Sequence, residues 1–597
     1  MRVSSKFAFS LLASSVCAGL HAETLNPLVV TATRTVQTVD EANASVTVIS
    51  REDIDRSSAT TIEQIIRTVP GVSVTSTGGP GKQSSVFIRG ANSDHVLVLV
   101  DGVKIGGATA GTAQLENIPL ALVDHIEVVK GPRSSLYGSE AIGGVIQIFT
   151  RRGTVEPEVI SEVSAGNNGT SRLTQHFAGG SGDTRYSLSA SLYDTEGVDA
   201  QPDGVQNDAD GFESKSVATS LDRHVTDNLL LGLNFMHAQG ENDYDGSPSF
   251  GDRYWNRFVQ QSGRVFADYA ASDRVTVRAQ LGFGRETNDN FVDTADFFDY
   301  ETRRLQYLLQ SDVSLTDHQL LTIGLERVDE EVDASTQYTE EERYNNAVFV
   351  QWQTVDQPLH VTASLRQDDN EAYGEETTGI ISAGYHLADF FRPYLSYGTG
   401  FKAPTFNDLY SPFGANPDLE AETSDTFEVG LKGSVGRVSY ELAVYKTKFD
   451  ELVVLSPPPL FIPYNVDRAT AKGAELSAAY KADGWSLEAG VGYTRATNDE
   501  TNAQLERRPK WDGRLAGTKV LEKVELNVEL LGRTDAVDTG DARIPGYVIA
   551  NAGAAYRATE SLNVALEVTN LFDQTAITAT GYAGQVRQVL ATLRYTY

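Results

Sequence analysis

The sequence predicts an all-β transmembrane barrel of about 22 antiparallel strands, filled by a smaller N-terminal α+β domain. Three observations predict it. From about Val155 onward the chain repeats period-2 stretches separated by polar, Gly- and Asp-rich segments. At roughly 20 residues for each strand and its connection, the chain from 154 to 597 holds about 22 strands. The segment before it combines one helical stripe with short, turn-bounded strands, and a barrel of that width leaks unless something fills it.

The strands carry the argument from composition to wall. The chain has 597 residues and 40% hydrophobic content. Its mean hydropathy is −0.27. No run of roughly 20 apolar residues follows the N-terminal segment, which excludes helical membrane spans. Period-2 stretches at 187–193, 229–235, 440–449 and 562–569 replace them. In the last, Leu562, Val564, Leu566 and Val568 share one face, and Asn563, Ala565, Glu567 and Thr569 share the other. That suits lipid on one side and a polar lumen on the other, although a soluble sandwich gives the same local alternation. The final stretch places Val589, Ala591, Leu593, Tyr595 and Tyr597 on one face and ends on an aromatic residue.

The filler is read from 36–153. Thr60-Thr61-Ile62-Glu63 has the pattern of a capping box, and Ile62, Ile65, Ile66 and Val69 form one apolar stripe before Pro70-Gly71 stops the helix. Strands at 85–89 and 95–100 each end in a glycine turn, at Gly90 and at Asp101-Gly102. The stretch 126–148 alternates, breaks at Gly131-Pro132, passes small residues and resumes as Val145-Ile146-Gln147-Ile148, which reads as strand, turn, tight corner, strand. Its glycines after Lys130 imply close backbone packing or positive φ. Taken by itself this segment also suits an independent domain.

The N-terminus indicates the compartment. Arg2 and Lys6 precede an apolar, small-residue run at 7–20 and then His21-Ala22, the make-up of a secretory signal (1–22) cut after Ala22. The single cysteine, Cys17, lies inside it, and Ser14-Ser15-Val16 does not form a lipoprotein box, so the mature chain is expected to carry no thiol, lipid or disulfide. Next comes Pro27-Leu28-Val29-Val30-Thr31-Ala32, an extended β-branched run. It is either a strand offered to the edge of another protein's sheet or a terminal strand docked on its own domain.

These residues carry a resemblance. The stretch around Gly131-Pro132-Arg133-Ser134 resembles the plug signature of TonB-dependent outer-membrane transporters, and 36–153 follows that plug over its whole length. Leu28 to Ala32, Ser84-Ser85-Val86-Phe87-Ile88-Arg89-Gly90 and His95-Val96-Leu97-Val98-Leu99-Val100-Asp101-Gly102-Val103 are most similar to the vitamin B12 (cobalamin) receptors of that family. The stretches 397–410 and 416–420 resemble a shared transporter signature that is silent on ligand, and the Gly398-Thr399-Gly400 within them lacks the third glycine of a nucleotide site.

The resemblance implies the rest. It implies a barrel at 154–597 in the outer membrane of a Gram-negative bacterium, surrounded by lipid and lipopolysaccharide and acting as a monomer. It implies a TonB box, Pro27 to Ala32, within an extension at 23–35, bound by the TonB C-terminal domain. Active uptake of cobalamin follows, the alternative being a ferric siderophore or another metal chelate. No catalytic residue is expected: the nine histidines are scattered and none forms an HExxH array.

Matching the plug loops places ligand contacts at Gln83, Ser85 and Asn92, at Thr109 and Ala110, and in the barrel at Arg507 or Arg508. Amides and hydroxyls at loop tips suit a large neutral ligand rimmed with amides, though the same residues are ordinary turn formers. The resemblance also puts forward Asp199, Gln206, Asp208, Asp210, Tyr244, Asp245, Gly246 and Asp252 as ligands of a structural Ca²⁺ in extracellular loops. Their hard oxygen donors fit calcium, and a solvated acidic rim is the other reading. A formal net charge of −32 argues against nucleic acid as a partner and leans from anionic chelates toward a neutral corrinoid. The acidic runs at 286–293, 329–333 and 340–342 are expected in loops.

Overall fold

A computed structural model describes residues 29–30, 34–35, 37–39 and 41–597, apart from 203, 205, 247–249, 356 and 457–460. The expected signal at 1–22, and Pro27, Leu28, Thr31 and Ala32 of the expected TonB box, lie outside the described residues.

Twenty-two antiparallel strands, from Glu158–Gly166 to Gln588–Thr596, close into one barrel in sequence order. The first and last strands meet in register, Ile160 against Thr596 and Gly166 against Leu590. Side chains alternate as the lumen and lipid demand. Val163, Leu566 and Leu593 point outward and exposed, whereas Glu162 and Ser164 are buried on the inner face.

Wall height varies around the ring. The strand Glu158–Gly166 has 9 residues and Ala295–Thr316 has 22. A span needs about 9–11 residues, so the longest strands stand well above the bilayer. This corrects the placement of the acidic runs: 286–292 belong to the strand Val275–Val292 and 329–333 to Gln319–Ala334, and of the third run only Glu340 and Glu341 precede the strand Glu342–Thr354. Strand pairing continues into water because cross-strand ion pairs such as Arg285 with Glu301 (2.8 Å) hold the charged positions.

Inside sits the plug. A short pair, β1 (Val29–Val30) with β2 (Gln37–Thr38), precedes β3 (Val46–Ile49), α1 (Arg51–Arg56) and α2 (Ile62–Ile66). A hairpin follows, β4 (Val72–Ser76) with β5 (Ser84–Ile88), and then β6 (Val96–Val100), β7 (Val103–Ile105), β8 (Val123–Lys130), α3 (Ser134–Tyr137) and β9 (Gly144–Thr150). The core sheet has the order β3-β8-β9-β6-β7, with β6 and β9 parallel. The predicted stripe Ile62, Ile65, Ile66 and Val69 is buried in its core, each side chain contributing about 1.5–3 kcal/mol of burial.

Two local readings need correction. Thr61 is the N-cap of α2, but its side chain makes no capping bond. The Thr60 N–H donates instead to Gln64 Oε1 at 2.9 Å. A capping box does form one helix earlier, where the Asp53 N–H donates to Ser50 Oγ (3.2 Å) and the Ser50 N–H to Asp53 Oδ2 (2.9 Å). The expected tight corner after Pro132 is the helical turn α3, closed by Gly138 at φ +76°. A Cβ at Gly144 would lie 2.5 Å from the Val129 carbonyl oxygen, which is why glycine opens β9.

Candidate ligand and cation site

The β4–β5 hairpin lifts the first apical loop toward the extracellular loops. Gln83 is exposed at its end and Ser85 is half-buried within β5, opposite Thr75. Asn92 precedes a single 3-10 turn, Ser93–His95, and its N–H donates to His95 Nδ1 at 3.3 Å. Arg508 reaches Asn92 from the barrel. Its Nη2 donates to Asn92 Oδ1, its Nε to the Gly90 carbonyl at 3.4 Å, and its guanidinium lies 4.4 Å over the Phe87 ring. Burial pushes Arg508 down to about 10, so it stays charged at neutral pH. Asn92 and Arg508 are thus brought together. Arg507 is not part of the group: its Nε donates to Asp538 at 2.7 Å. On the second apical loop Thr109 is buried and Ala110 exposed, and the Asn407 N–H donates to the Thr109 carbonyl at 3.1 Å. A solvent-open cleft flanks the first loop, lined by Ser76, Gly78, Gly79 and Pro80 and by barrel residues including Thr578 and Gln585.

Of the expected calcium ligands, Asp199, Asp210 and Asp245 converge, with carboxylate oxygens all within 4.8 Å of one another. Gln206 joins the loops, accepting from the Gly246 N–H at 2.8 Å and donating to the Asp252 carbonyl. Asp208 and Asp252 are exposed and outside that trio, and the Tyr244 hydroxyl donates to Asn290 at 3.3 Å. Asp245 Oδ2 is buried without a hydrogen-bond partner among the described residues. Burial first, then the Asp199 and Asp208 carboxylates, push Asp245 above the usual carboxylate range. This is the electrostatic state of crowded hard oxygen donors that a divalent cation relieves.

One functional neighbour was missed by sequence reasoning. Lys82, 2% exposed, extends from the apical loop to the base of this acidic group. Its ammonium donates to Asn242 Oδ1 (2.7 Å) and to the carbonyls of Asp210 (3.1 Å) and Gly211 (3.3 Å). Burial lowers it to about 8, with Asp210, Asp243 and Asp245 opposing that shift. Only its place beside the predicted contact Gln83 pointed to it.

Buried ion pairs hold the plug beneath the site. Arg89 bonds Glu428 (2.7 Å) and Glu475 (3.0 Å), and Lys130 reaches Glu475 at 2.7 Å. Lys402 bridges Asp94 (2.9 Å) and Glu422 (3.6 Å), while His95 Nε2 lies 2.8 Å from Glu422. Arg34 pairs with Glu326 and stacks on Tyr137 and Phe349.

A wide closed barrel with a second domain fastened in its lumen is the architecture of a plugged outer-membrane transporter. Residues 161–571 match the TonB dependent receptor-like beta-barrel and 38–145 the TonB-dependent Receptor Plug Domain. The vitamin B12 transporter BtuB of Photobacterium profundum is 32% identical over 590 residues, which is 96% of this chain and 95% of that protein. Its counterpart in Vibrio vulnificus is 30% identical over 603 residues, 97% of each. Among solved structures, the ferric enterobactin receptor PfeA of Pseudomonas aeruginosa superimposes with a TM-score of 0.82 at 19% identity, covering 94% of this chain and 100% of that one. The siderophore receptor PirA of Acinetobacter baumannii gives 0.80 at 18%, covering 92% and 98%. At such identities these structures show the fold alone. The chain belongs to the TonB-dependent receptor family and is an outer-membrane protein of Gram-negative bacteria.

Proposed function

We propose that this receptor binds cobalamin between its apical plug loops and its extracellular barrel loops and takes it up at the expense of TonB-delivered energy. The observation that carries the reading is the pairing of Asn92 with Arg508 between plug and barrel; with Gln83 and Ala110 exposed on the two apical plug loops, it offers amide and backbone donors and acceptors suited to a neutral, amide-rich ligand. Near-full-length likeness to two curated vitamin B12 transporters supports it. Equilibrium binding of labelled cyanocobalamin to the purified protein, with a ferric siderophore as competitor, tests it. Saturable binding that the siderophore does not displace is expected; binding of the siderophore alone overturns the reading.

We infer that Asp199, Asp210 and Asp245, with the Gln206 amide nearby, hold Ca²⁺, and that Asp208 and Asp252 close on it from the rim. The ion supplies the positive charge that lets these carboxylates share one place. Ligand affinity should then rise 5- to 150-fold with calcium, about 1–3 kcal/mol of coupling. Asp199→Asn with Asp245→Asn should remove that dependence, and corrinoid titration with and without a chelator measures it. Equal dissociation constants in the unsubstituted protein would mean a solvated rim.

A further inference from the structure

The buried ammonium beneath the acidic loops has a physical consequence of its own. A lysine nine-tenths removed from water needs acceptors on all its protons, and Lys82 finds them on the barrel: Asn242 Oδ1, the Asp210 and Gly211 carbonyls, and in its own loop Pro80 O at 3.3 Å. Asn242 passes the contact along the inner wall: its Nδ2 donates to Asn256 Oδ1 (3.0 Å), and Asn256 Nδ2 donates to Asn288 Oδ1 (2.6 Å). The same stretch of plug is fitted to the wall by shape. Gly81 sits at φ +77°, and a Cβ there would lie 2.0 Å from Phe212 Cδ2. The residue after Lys82, Gln83, is exposed at the expected ligand position.

We propose that Lys82 is the resident cation of the acidic loops, a positioning residue that fastens the ligand-facing apex of the plug to the loop ends carrying Asp199, Asp210 and Asp245. The apex and the rim are therefore already joined in the absence of metal. A divalent ion adds order to loops whose ends this ammonium already holds through the Asp210 and Gly211 carbonyls; this last step rests on the calcium reading above.

The test uses the full chain, in detergent with a chelator, and follows amide hydrogen exchange. Lys82→Ala should raise exchange at Asp210, Gly211 and Phe212 and at 78–84 at least tenfold, with Leu97 to Leu99 unchanged. Ethylammonium should restore protection, and ethanol of equal size should not, because the missing element is a charge and not a volume. Unchanged exchange in Lys82→Ala, or equal rescue by the alcohol, overturns the proposal. Calcium should restore protection too. If it does not while ethylammonium does, the calcium reading fails and the Lys82 assignment stands. Should Lys82→Ala not assemble, Asn242→Ala removes the shortest acceptor and should raise exchange at the same amides about threefold; no rise there overturns the proposal as well.

Discussion

Arg508 and Arg507 are sequence neighbours with different employments, and substitution should separate them. Arg508→Met keeps an apolar stem over Phe87 but loses the bond to Asn92, so ligand affinity should fall at least tenfold, about 1.4 kcal/mol, whereas Arg507→Ala should leave it within about twofold. Surface binding of labelled corrinoid to whole cells reads both. His125, in β8, offers a pH test. Burial lowers it, but a hydrogen bond to Asp124 (2.7 Å) and the Glu127 carboxylate 3.7 Å away outweigh burial and raise it to about 9. The folded value exceeds the unfolded one near 6.5, so the stabilisation is complete below about pH 6.5 and is lost as pH rises through 9. Because the ring is partly exposed, about 1–2 kcal/mol is expected rather than the full shift. Exchange of β8 amides, corrected for intrinsic rate, should rise between pH 7 and 9.5 in the native protein and stay level in His125→Gln. At this scale the sequence was partly legible. Gln83, Asn92 and the acidic residues were put forward from the resemblance of their loops, since loop-tip amides and solvated acidic turns look alike locally; the structure brings Asn92 to Arg508 and Asp199, Asp210 and Asp245 to one another. Lys82 could not be placed, since nothing in Gly79-Pro80-Gly81-Lys82-Gln83 reveals which of its side chains turns inward.

Among the described elements, β1 is a two-residue strand paired, among the described residues, to Gln37 and Thr38. A strand so short can exchange its partner for the edge of another sheet. Val29→Pro removes a ladder donor and fixes φ, so uptake should cease while ligand binding at the cell surface persists; uptake at the native rate would show that this segment is not the handle. Helical elements were the least legible. Nothing in Arg51 to Arg56 presents an apolar stripe, for Ile54 alone is buried, and its start is marked only by Ser50 and Asp53. In α2 the stripe was right and the cap was not, because packing of Ile62 and Ile66 against the sheet fixes that helix without help from Thr61. Gly144→Ala should be more damaging than any of these caps. The added methyl meets backbone at 2.5 Å with φ +158°, and partial disorder of β9 is expected from limited proteolysis.

For the whole molecule, strand number and facing were readable because alternation and length are global properties. The fastening of plug to wall was not: Arg89 and Glu475 are 386 residues apart, and no local pattern links them. Arg89→Ala should leave Glu428 and Glu475 buried near each other and loosen the plug by about 3–5 kcal/mol, seen as bursts of conductance across planar bilayers where the native protein is silent. The uneven wall bears on time. The seam joins Ile160 to Thr596 and Val159 to Tyr597, the latter by two backbone hydrogen bonds of 2.9 Å, and each of its two strands has only 9 residues. It combines the longest chain loop with one of the shortest ladders, so it gains little and costs most to form. The growing wall must therefore wait as a curled, unjoined sheet until its last strand arrives. Deleting Tyr597 should lower the yield of finished barrels recovered from membranes, and each barrel that does finish should bind its ligand like any other.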